Sequence, residues 1–414
     1  MPAVKNVVIV GGGFGGVRVA LDLARRGIGG VSITIISNKA HLEYYPTVYR
    51  VATGRSSEQV CIPLDTIFRD TSVNIINDEI TAIDTAEKTV IGNERYTYDE
   101  LVLAVGSETG YFNIPGLPEF SYGVKSIRES LALKNHLHAV LTPSADPALP
   151  PEQKVIAAHF MIVGGGPSGV ELAGDLSWYA KRIAVKHGSD PALVTIDLIE
   201  AAPRLLPVLP ADVSERVKKR LQSLGVNIYV SRTVTGEEVE QLLMKDMQIK
   251  TKSVVWTAGV KPNTLIGKIE GLELDRRGRI VVTEHLQAKG CPHLYVVGDA
   301  ASTQYSGLAQ TANHDGEYLA RFLAAKLGGH TVPEYRPILP ISAIPAGPNW
   351  AAVLWGNRRI YGLLASWLRH AADIRYLSSV LGLFPALSIF LAGTRASESC
   401  PVCTGDEVGE RRVA

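Results

Sequence analysis

Short apolar runs that lead directly into glycine-rich turns recur along this chain of 414 residues and determine its predicted architecture. Residues 7–10 lead into a turn at 11–16, and residues 160–163 lead into a turn at 164–169. An apolar run, then glycines, then an amphipathic pattern is typical of a buried parallel strand, a tight turn and a helix. The pattern predicts helices at 15–26 and 168–186, each followed by a second strand, at 32–36 and 194–199.

The similarity of the two units extends beyond their glycine turns. Strands that end in a glycine are predicted at 101–106 and 254–259, at equivalent places in each unit. The second unit is predicted to begin at Lys154, after a proline-rich surface loop at 143–151. A repeat of this extent favours a duplicated architecture. We therefore expect an α/β protein with two Rossmann-like dinucleotide-binding domains, and a further buried strand at 294–297 that closes on Gly298 and Asp299.

The pattern changes after about residue 331, where prolines and then tryptophans cluster. Residues 376–394 carry no charge and approach the ~20 apolar residues needed to span a bilayer, but Pro385 interrupts them. Upstream, arginines alternate with aromatic and leucine residues, as in a helix lying in the interface of an anionic membrane. These arginines are Arg358, Arg359, Arg369 and Arg375. We predict a monotopic anchor there; helices packed on the body of the protein or on a second copy are the alternative.

Composition and charge limit the function classes. With 46% hydrophobic and 20% charged residues, the chain is typical of a globular protein with a large core, and its length fits two or three domains. A formal net charge of +1 gives no electrostatic footprint for nucleic acid, so no nucleic-acid partner is expected. Four cysteines are too few for a disulfide scaffold, and no secretory signal precedes the first strand, so we expect a reducing, cytoplasmic environment.

Both turns fit the G-x-G-x-x-G pattern that binds dinucleotides where it joins a strand to a helix. The first glycine permits the turn, the second lets the backbone approach a pyrophosphate, and the third packs helix on strand. The pyrophosphate then lies against N–H groups at the helix N-terminus. The residues expected to bind the first dinucleotide in this way are Gly11, Gly13, Phe14, Gly15 and Gly16. Those expected to bind the second are Gly164, Gly166, Pro167, Ser168 and Gly169.

The second strands of the two units end differently. Glu200 ends that strand in the second unit, where a carboxylate accepts a ribose hydroxyl and repels the 2′-phosphate of NADPH, so NADH is expected. A solvated strand end is the alternative for Glu200. The first unit has Ser37, Asn38 and Lys39 there, and no carboxylate. Ser37 or Asn38 would bind a ribose less strongly than an anion does, so this strand end does not identify the first dinucleotide.

Asp299 supplies a further indication of what the first unit binds. An aspartate between a strand and a helix can bind a polyol hydroxyl and direct the helix N-terminus towards a flavin. Capping the helix is the alternative role, which Asp performs often. Together with the first glycine turn, Gly298 and Asp299 favour a flavin.

This set of motifs resembles the two-dinucleotide-binding-domain flavoprotein oxidoreductases, and within them the type II NADH dehydrogenases. The matching segments are residues 10–16, 98–107, 114–117, 162–176, 254–263, 294–301 and 309–320. The resemblance implies non-covalent FAD in the first unit, NADH as the substrate in the second, and transfer of two electrons to a lipid quinone without proton pumping. It adds further FAD contacts at Ala104, Gly106 and Gln310 and further NADH contacts at Glu171, Ala258 and Gly259.

The resemblance also implies three catalytic residues. Glu171 follows the second glycine turn, near where nicotinamide and flavin meet, and would orient the cofactors or relay protons. A helix N-terminal acid favoured by the dipole is its alternative role. In the quinone motif Gln310 is kept, but His314 stands where the family has a second glutamine. Histidine can donate a hydrogen bond or a proton at neutral pH, or be structural.

From these features we expect an FAD-binding domain at 1–117 and 270–325 and an NADH-binding domain at 118–269. A membrane-anchoring and dimerisation region at 326–395 and a disordered tail at 396–414 follow. The protein would lie peripherally on the cytoplasmic face of the cell membrane, as a homodimer in the manner of the family. Two other functions remain open: a soluble NAD(P)H-dependent reductase of a protein or small acceptor, and a redox sensor that binds FAD and NADH with little turnover.

The cysteines argue against related chemistries. Neither unit contains the Cys-x-x-Cys pair that a disulfide reductase needs beside its flavin, and Cys61 and Cys291 stand alone in the sequence. The tail contains Cys400 and Cys403, but a single pair does not complete a four-cysteine zinc site, and no metal is expected. The role of that pair stays open between a redox or metal-binding tail and an incidental sequence.

Overall fold

Two parallel sheets with helices form the framework of residues 4–396, the part of the chain that the computed structural model describes. The strands are β1 (Lys5–Val10), β2 (Val31–Ser37), β3 (His41–Glu43), β4 (Cys61–Pro63), β5 (Val73–Asn77), β6 (Ala82–Asp84), β7 (Thr89–Ile91), β8 (Arg95–Thr97), β9 (Glu100–Leu103), β10 (Ser107–Thr109), β11 (His159–Val163), β12 (Thr195–Glu200), β13 (Val226–Val230), β14 (Val234–Glu238), β15 (Gln241–Met244), β16 (Gln248–Lys250), β17 (Ser253–Trp256), β18 (Val260–Pro262), β19 (Leu294–Val296), β20 (Ser342–Pro345), β21 (Ala351–Trp355) and β22 (Arg358–Gly362).

Helices cover the sheets and connect their strands. The α-helices are α1 (Phe14–Arg25), α2 (Tyr49–Ala52), α3 (Leu64–Phe68), α4 (Leu117–Phe120), α5 (Ile127–Leu141), α6 (Pro151–Ala157), α7 (Pro167–His187), α8 (Ala211–Ser223), α9 (Ala309–Leu327), α10 (Leu363–Leu381) and α11 (Leu383–Gly393). Short 3-10 helices lie at Tyr45–Thr47, Ser57–Gln59, Pro143–Ala145, Pro191–Leu193, Thr264–Lys268 and Gly298–Ala300.

The first sheet has the strand order β19-β9-β1-β2-β5, and all of its pairs are parallel. Val7 and Ile9 pack on the side of α1 and α9, whereas Val8 and Val10 pack with Ile83 of the β6–β8 hairpin sheet. Both faces of β1 are therefore covered, which explains why its sequence is a continuous apolar run and does not alternate.

The second sheet repeats this arrangement in the order β13-β12-β11-β17, again with parallel pairs. Phe160 and Ile162 pack with α7 on one face, and Met161 and Val163 pack with the antiparallel strands β14–β16 on the other. The predicted α/β fold with two Rossmann-like units is confirmed. The predicted start of the second unit is wrong, because Lys154 lies in α6 and the strand begins only at His159. Prolines at the start of α6 favour a helix there, since Pro is tolerated in the first turn.

Two antiparallel strands, β10 and β18, join the two units. β10 follows β9 of the first sheet, β18 follows β17 of the second, and Ser107 pairs with Pro262. This pairing brings the carboxyl end of β9 close to the carboxyl end of β17. In open α/β sheets ligands bind at those ends, so the connection places both predicted dinucleotide sites on one region of the molecule.

The C-terminal region contains the small sheet β20-β21-β22 and then α10 and α11. Gly382, with φ +84°, divides the uncharged run into these two helices. Pro385 lies in the first turn of α11, where a missing N–H breaks no helical hydrogen bond. Among residues 4–396 no helix is both long enough and apolar enough to cross a membrane.

The alternation of arginines predicts Arg369 at an exposed membrane interface, and this prediction is wrong. Arg369 is buried on α10, pairs with Asp373 and donates a hydrogen bond to the carbonyl of Pro46 at 2.9 Å. Tyr44 also donates to Asp373, at 2.6 Å. These contacts fix α10 to the first unit, so this helix belongs to the body of the protein. The tail cysteines Cys400 and Cys403 lie outside the described residues.

Candidate functional site

A cavity of about 620 Å³ opens at the carboxyl ends of the first sheet. Its volume is in the range of cofactor pockets. The predicted residues that line it are Gly11, Gly13, Phe14, Gly15, Ser37, Asn38, Lys39, Ala104, Gly106, Gly298 and Asp299. From the second unit, Ser168 and Gly259 also line it. One cavity therefore brings most of the predicted FAD contacts together with part of the predicted NADH site.

The first glycine turn has the close approaches that require glycine. Gly11 has φ +115°, and a Cβ there would lie 2.3 Å from the carbonyl oxygen of Ala104. A Cβ on Gly16, which does not line the cavity, would lie 2.0 Å from the carbonyl oxygen of Gly11. Gly13 has open space around it instead, and as the N-cap of α1 it makes no side-chain capping bond. The helix N–H groups thus stay available to a pyrophosphate, and the turn fits FAD.

The second glycine turn has the same construction. Gly164 has φ +113°, and its added Cβ would lie 2.7 Å from Ala258. A Cβ on Gly169 would lie 1.9 Å from the carbonyl oxygen of Gly164, whereas Gly166 has nothing within 4 Å. α7 begins at Pro167, whose missing N–H is one of those that a helix start leaves unpaired. This turn therefore also fits a dinucleotide.

Glu200 lies beside the second glycine turn and holds it. Its Oε2 accepts the N–H of Gly165 at 2.6 Å, and its Oε1 accepts the N–H of Ala202 at 2.7 Å. A carboxylate has about four lone-pair sites, so both oxygens retain acceptor capacity for a ribose hydroxyl. The structure adds a backbone-supporting role that the sequence did not predict.

Asp299 belongs to a hydrogen-bonded chain inside the cavity. The hydroxyl of Ser107 donates a hydrogen bond to Asp299 Oδ2 at 2.5 Å, and Lys125 Nζ donates one to Ser107 Oγ at 3.0 Å. Burial lowers the pKa of Lys125, and the nearby charges of Asp299 and Glu129 oppose that effect. Neither Ser107 nor Lys125 was predicted. Lys125 follows no motif in the sequence, and only the packing of the two units brings it to Asp299.

Other cavity residues were also missed by sequence reasoning. The side chains with polar or aromatic groups among them include His41, Glu43, Tyr45, Trp256, Thr257 and Asn263. Lys39 Nζ lies 2.7 Å from Glu43 Oε2, so Lys39, a predicted FAD contact, is held by Glu43, which was not predicted. A lysine and a glutamate four residues apart were the available signal, but that spacing is common on any surface.

Glu171 lies in the first turns of α7, beside a cluster of ionisable side chains from α2 and α10. Burial raises the pKa of Glu171 to about 8, and the positive charges of Arg369 and Arg50 oppose this rise. Burial also raises the pKa of Asp175, one turn along α7. The arrangement can keep Glu171 protonated at neutral pH, which suits a proton donor.

Gln310 and His314 do not line the cavity, and their side chains bind a neighbouring segment. Gln310 donates to the carbonyl of Ile341 at 2.8 Å and accepts the N–H of Ile341 at 3.1 Å. His314 Nε2 lies 2.9 Å from the carbonyl oxygen of Arg336. Ala309 and Ala312 of the same helix do line the cavity. The helix is therefore placed as expected, while these two side chains face the segment around 336–341.

An aromatic cluster connects the first glycine turn with α10. The ring of Phe14 lies 4.8 Å from that of Tyr376, and Tyr376 stacks on Tyr44 at 5.3 Å between ring centroids. Tyr45, which lines the cavity, lies 6.3 Å from Phe14. Burial raises the pKa of Tyr376, as it does that of Tyr44, so both phenols stay neutral. Helix α10 thus reaches the wall of this cavity.

Comparisons with known proteins agree with this geometry. Residues 5–316 match the family described as pyridine nucleotide-disulphide oxidoreductase. The chain is 33% identical over 355 residues to the type II NADH:quinone oxidoreductase Ndh of Mycobacterium tuberculosis. The aligned residues cover 81% of this chain and 76% of that protein. It is a type II NADH:quinone oxidoreductase family member. The NADH dehydrogenase-like protein YutJ of Bacillus subtilis is 30% identical to this family member over 349 residues, 82% of this chain and 89% of YutJ.

A solved structure extends the likeness of this family member to the C-terminal region. The structure of NDH2 from Plasmodium falciparum in complex with NADH superposes with a TM-score of 0.85 over 95% of this chain and 100% of that one. At 19% sequence identity the likeness concerns the fold. At 95% of this chain, the superposition extends beyond residues 5–316, the range of the family match.

Within residues 4–396, Cys61 and Cys291 do not form with each other the disulfide that the name of the wider family would imply. Cys61 is buried on β4, and Cys291 precedes β19, far from it in sequence. Burial raises the pKa of the Cys291 thiol, which makes it less reactive. Among residues 4–396 no cluster of three or more potential metal ligands is present.

Proposed function

We propose that this chain oxidises NADH through non-covalent FAD and transfers two electrons to a lipid quinone, without proton pumping. The observation that carries the proposal is the single cavity lined by the first glycine turn and by Ser168 and Gly259 of the second unit. The names of the relatives support the donor and the acceptor. We assign FAD binding to 1–117 and 270–325, and NADH binding to 118–269.

Backbone N–H groups and carboxylate side chains of this chain would bind and orient the two dinucleotides. The N–H groups of the turns at Gly13 and Gly166 would hold the two pyrophosphates, and Asp299 would accept a hydroxyl of the FAD polyol chain. Glu200 would accept a ribose hydroxyl of NADH. When bound, FAD would supply the two-electron redox chemistry between NADH and the acceptor.

The acceptor side is assigned to Glu171, Gln310 and His314. Quinone reduction consumes two protons, and a Glu171 that is protonated at neutral pH can donate one of them. Gln310 and His314 would contact the quinone only when they exchange their bonds to residues 341 and 336 for bonds to it. The catalytic role of these two residues therefore includes a rearrangement of that segment.

The membrane contact is assigned to the exposed apolar surface of α10 and α11, which we call the apolar face. Its residues are Leu363, Leu364, Trp367, Leu383, Phe384, Leu387 and Leu391. The exposed Arg358 and Arg359 lie on β22, directly before α10. Aromatic and leucine residues beside arginines suit the interface of an anionic membrane, here the cytoplasmic leaflet. In detergent solution we expect the protein to be a homodimer in which the partner subunit covers part of the apolar face.

Anaerobic mixing of the FAD-loaded protein with NADH tests the donor half of the proposal. Flavin absorbance near its visible maximum should fall within seconds, since enzymes typically turn over on the order of 10 s⁻¹. A ubiquinone or menaquinone analogue added afterwards should restore it. Flavin that binds tightly but bleaches only over hours would identify a redox sensor. Reoxidation by a water-soluble dye but by neither quinone would identify a reductase of another acceptor.

A further inference from the structure

Asp315 is a fully buried carboxylate on α9 that does not line the cavity and to which the sequence analysis assigned no role. Its Oδ2 accepts the N–H of Gly298 at 2.9 Å. Its Oδ1 accepts the hydroxyl of Tyr335 at 2.6 Å. Burial raises the pKa of Asp315 to about 6, and the two hydrogen bonds oppose this rise, so the group is charged at neutral pH. A buried charge costs free energy of folding, and the hydrogen bonds from Gly298 and Tyr335 offset that cost.

The amide that Asp315 holds belongs to the turn that carries Asp299. Gly298 has φ +71° and begins the 3-10 helix that contains Asp299. Ser306 donates to the carbonyl of Gly298 at 3.2 Å, so both polar backbone groups of this residue are fixed. A Cβ at Gly298 would lie 3.2 Å from that of Ala312, which shows how closely α9 packs against the turn. The direction of Asp299 into the cavity therefore depends on the Gly298 amide.

The other partner, Tyr335, comes from an extended segment, residues 333–341, which we call the strap. The N–H of Tyr335 donates to the carbonyl of Glu284 at 2.7 Å. The hydroxyl of Tyr318 donates to the carbonyl of Pro333 at 3.0 Å. With the contacts of Gln310 and His314, these bonds hold the strap along α9. Tyr335 is the residue through which the strap reaches Asp315.

We propose that Asp315 is a positioning residue for the flavin: it fixes the Gly298 amide so that Asp299 faces the cofactor, and Tyr335 ties that turn to the strap. This inference rests on the proposed function, because it takes the cavity as the FAD site. The strap also binds Gln310 and His314, so a rearrangement of the strap at the acceptor side would reach the flavin turn through the Tyr335–Asp315 contact.

Titration of FAD into the apoprotein, followed by quenching of flavin fluorescence, tests the inference without turnover. Asp315→Ala should raise the dissociation constant of FAD about tenfold, as loss of a charge-assisted hydrogen bond does. Asp315→Asn should stay within about threefold of wild type, because its amide oxygen accepts the Gly298 N–H and its NH₂ donates to Tyr335. Tyr335→Phe should weaken FAD binding about fivefold.

Tyr318→Phe is the matched control, since it removes a hydroxyl of α9 that binds the strap at Pro333 but does not reach Asp315, and it should leave the FAD dissociation constant unchanged. Wild-type affinity in Asp315→Ala, or equal losses in Tyr335→Phe and Tyr318→Phe, would overturn the inference. If Asp315→Ala fails to fold, the comparison of the two tyrosine variants decides. Asp299→Ala distinguishes failure of the proposed FAD site from failure of the role of Asp315. Wild-type FAD affinity in this variant would contradict the assignment of the cavity to FAD, and not only the role of Asp315.

Discussion

Glu200 combines a structural role with a recognition role at one carboxylate. Its bonds to the N–H groups of Gly165 and Ala202 fix the strand end relative to the second glycine turn. The same bonds fix its negative charge where the ribose of NADH is expected. Substitution by alanine would therefore remove the charge and both backbone hydrogen bonds, whereas glutamine keeps the size and one acceptor oxygen and loses the charge and one of the two bonds.

Glu200→Gln should lower the preference for NADH over NADPH about tenfold, because the repulsion of a 2′-phosphate disappears. The measurement is the ratio of kcat/KM for the two donors with one acceptor. FAD content should equal that of wild type, since Glu200 lies at the other dinucleotide turn. An unchanged ratio with intact FAD content would contradict the assignment of Glu200 to the ribose.

Glu171 gives a pH dependence with a definite sign. Its pKa is raised to about 8, so the protonated form that donates to a reduced acceptor prevails at neutral pH and is lost as pH rises through about 8. The turnover number with a quinone analogue should fall above that pH, and Glu171→Gln should lack this limb of the profile. Ferricyanide takes up electrons without protons and serves as the control acceptor. A similar fall with ferricyanide would place the titration elsewhere.

At the scale of elements, α10 and α11 divide the C-terminal region into a buried and an exposed part. Arg369 and Asp373 of α10 pair with each other and contact Pro46 and Tyr44, and Tyr376 stacks beside Phe14. Deletion of the whole region would therefore uncover the core of the first unit and damage the cofactor site. Membrane attachment is better tested by substitutions that are confined to the exposed surface.

Combined replacement of Leu383, Phe384 and Leu391 by serine should reduce binding to vesicles rich in phosphatidylglycerol at least tenfold, since each buried apolar side chain contributes about 1.5–3 kcal/mol. Flotation of the protein with the vesicles measures it. Val208→Ser, at a residue that is 86% exposed, is the control for loss of surface apolarity elsewhere. FAD content and unfolding temperature should not change. Vesicle binding that persists while a dimer dissociates would reassign the apolar face to self-association.

At the scale of the whole molecule, the two glycine turns act together because β10 and β18 join the units. Each sheet by itself would present its carboxyl edge to solvent. The antiparallel pair, with Thr109 opposite Val260, brings Gly259 and Ser168 to the cavity of the first unit. The cavity for electron transfer is thus a property of the pairing of two units, and neither unit contains it alone.

The sequence by itself determined the elements whose signals are local. Apolar runs predicted β1 and β11, and the G-x-G-x-x-G spacing predicted both turns, because a positive φ at Gly11 and Gly164 and the contacts at Gly16 and Gly169 exclude a Cβ. Local signals also misled: they predict the start of the second unit at Lys154 and an interfacial position for Arg369, and both predictions are wrong. For Lys154 the prolines at the start of α6 decided the outcome; for Arg369 its pairing with Asp373 and its hydrogen bond to the distant Pro46 decided it.

Only the tertiary structure decided which distant groups meet. Lys125 reaches Asp299 through Ser107, and Asp315 joins Gly298 to Tyr335. No periodicity encodes such contacts, because their partners are separated along the chain and are brought together by packing of the sheets and helices. The sequence therefore determined two dinucleotide turns and their order. The packing decided that they share one cavity, since burial and close approach depend on the whole fold.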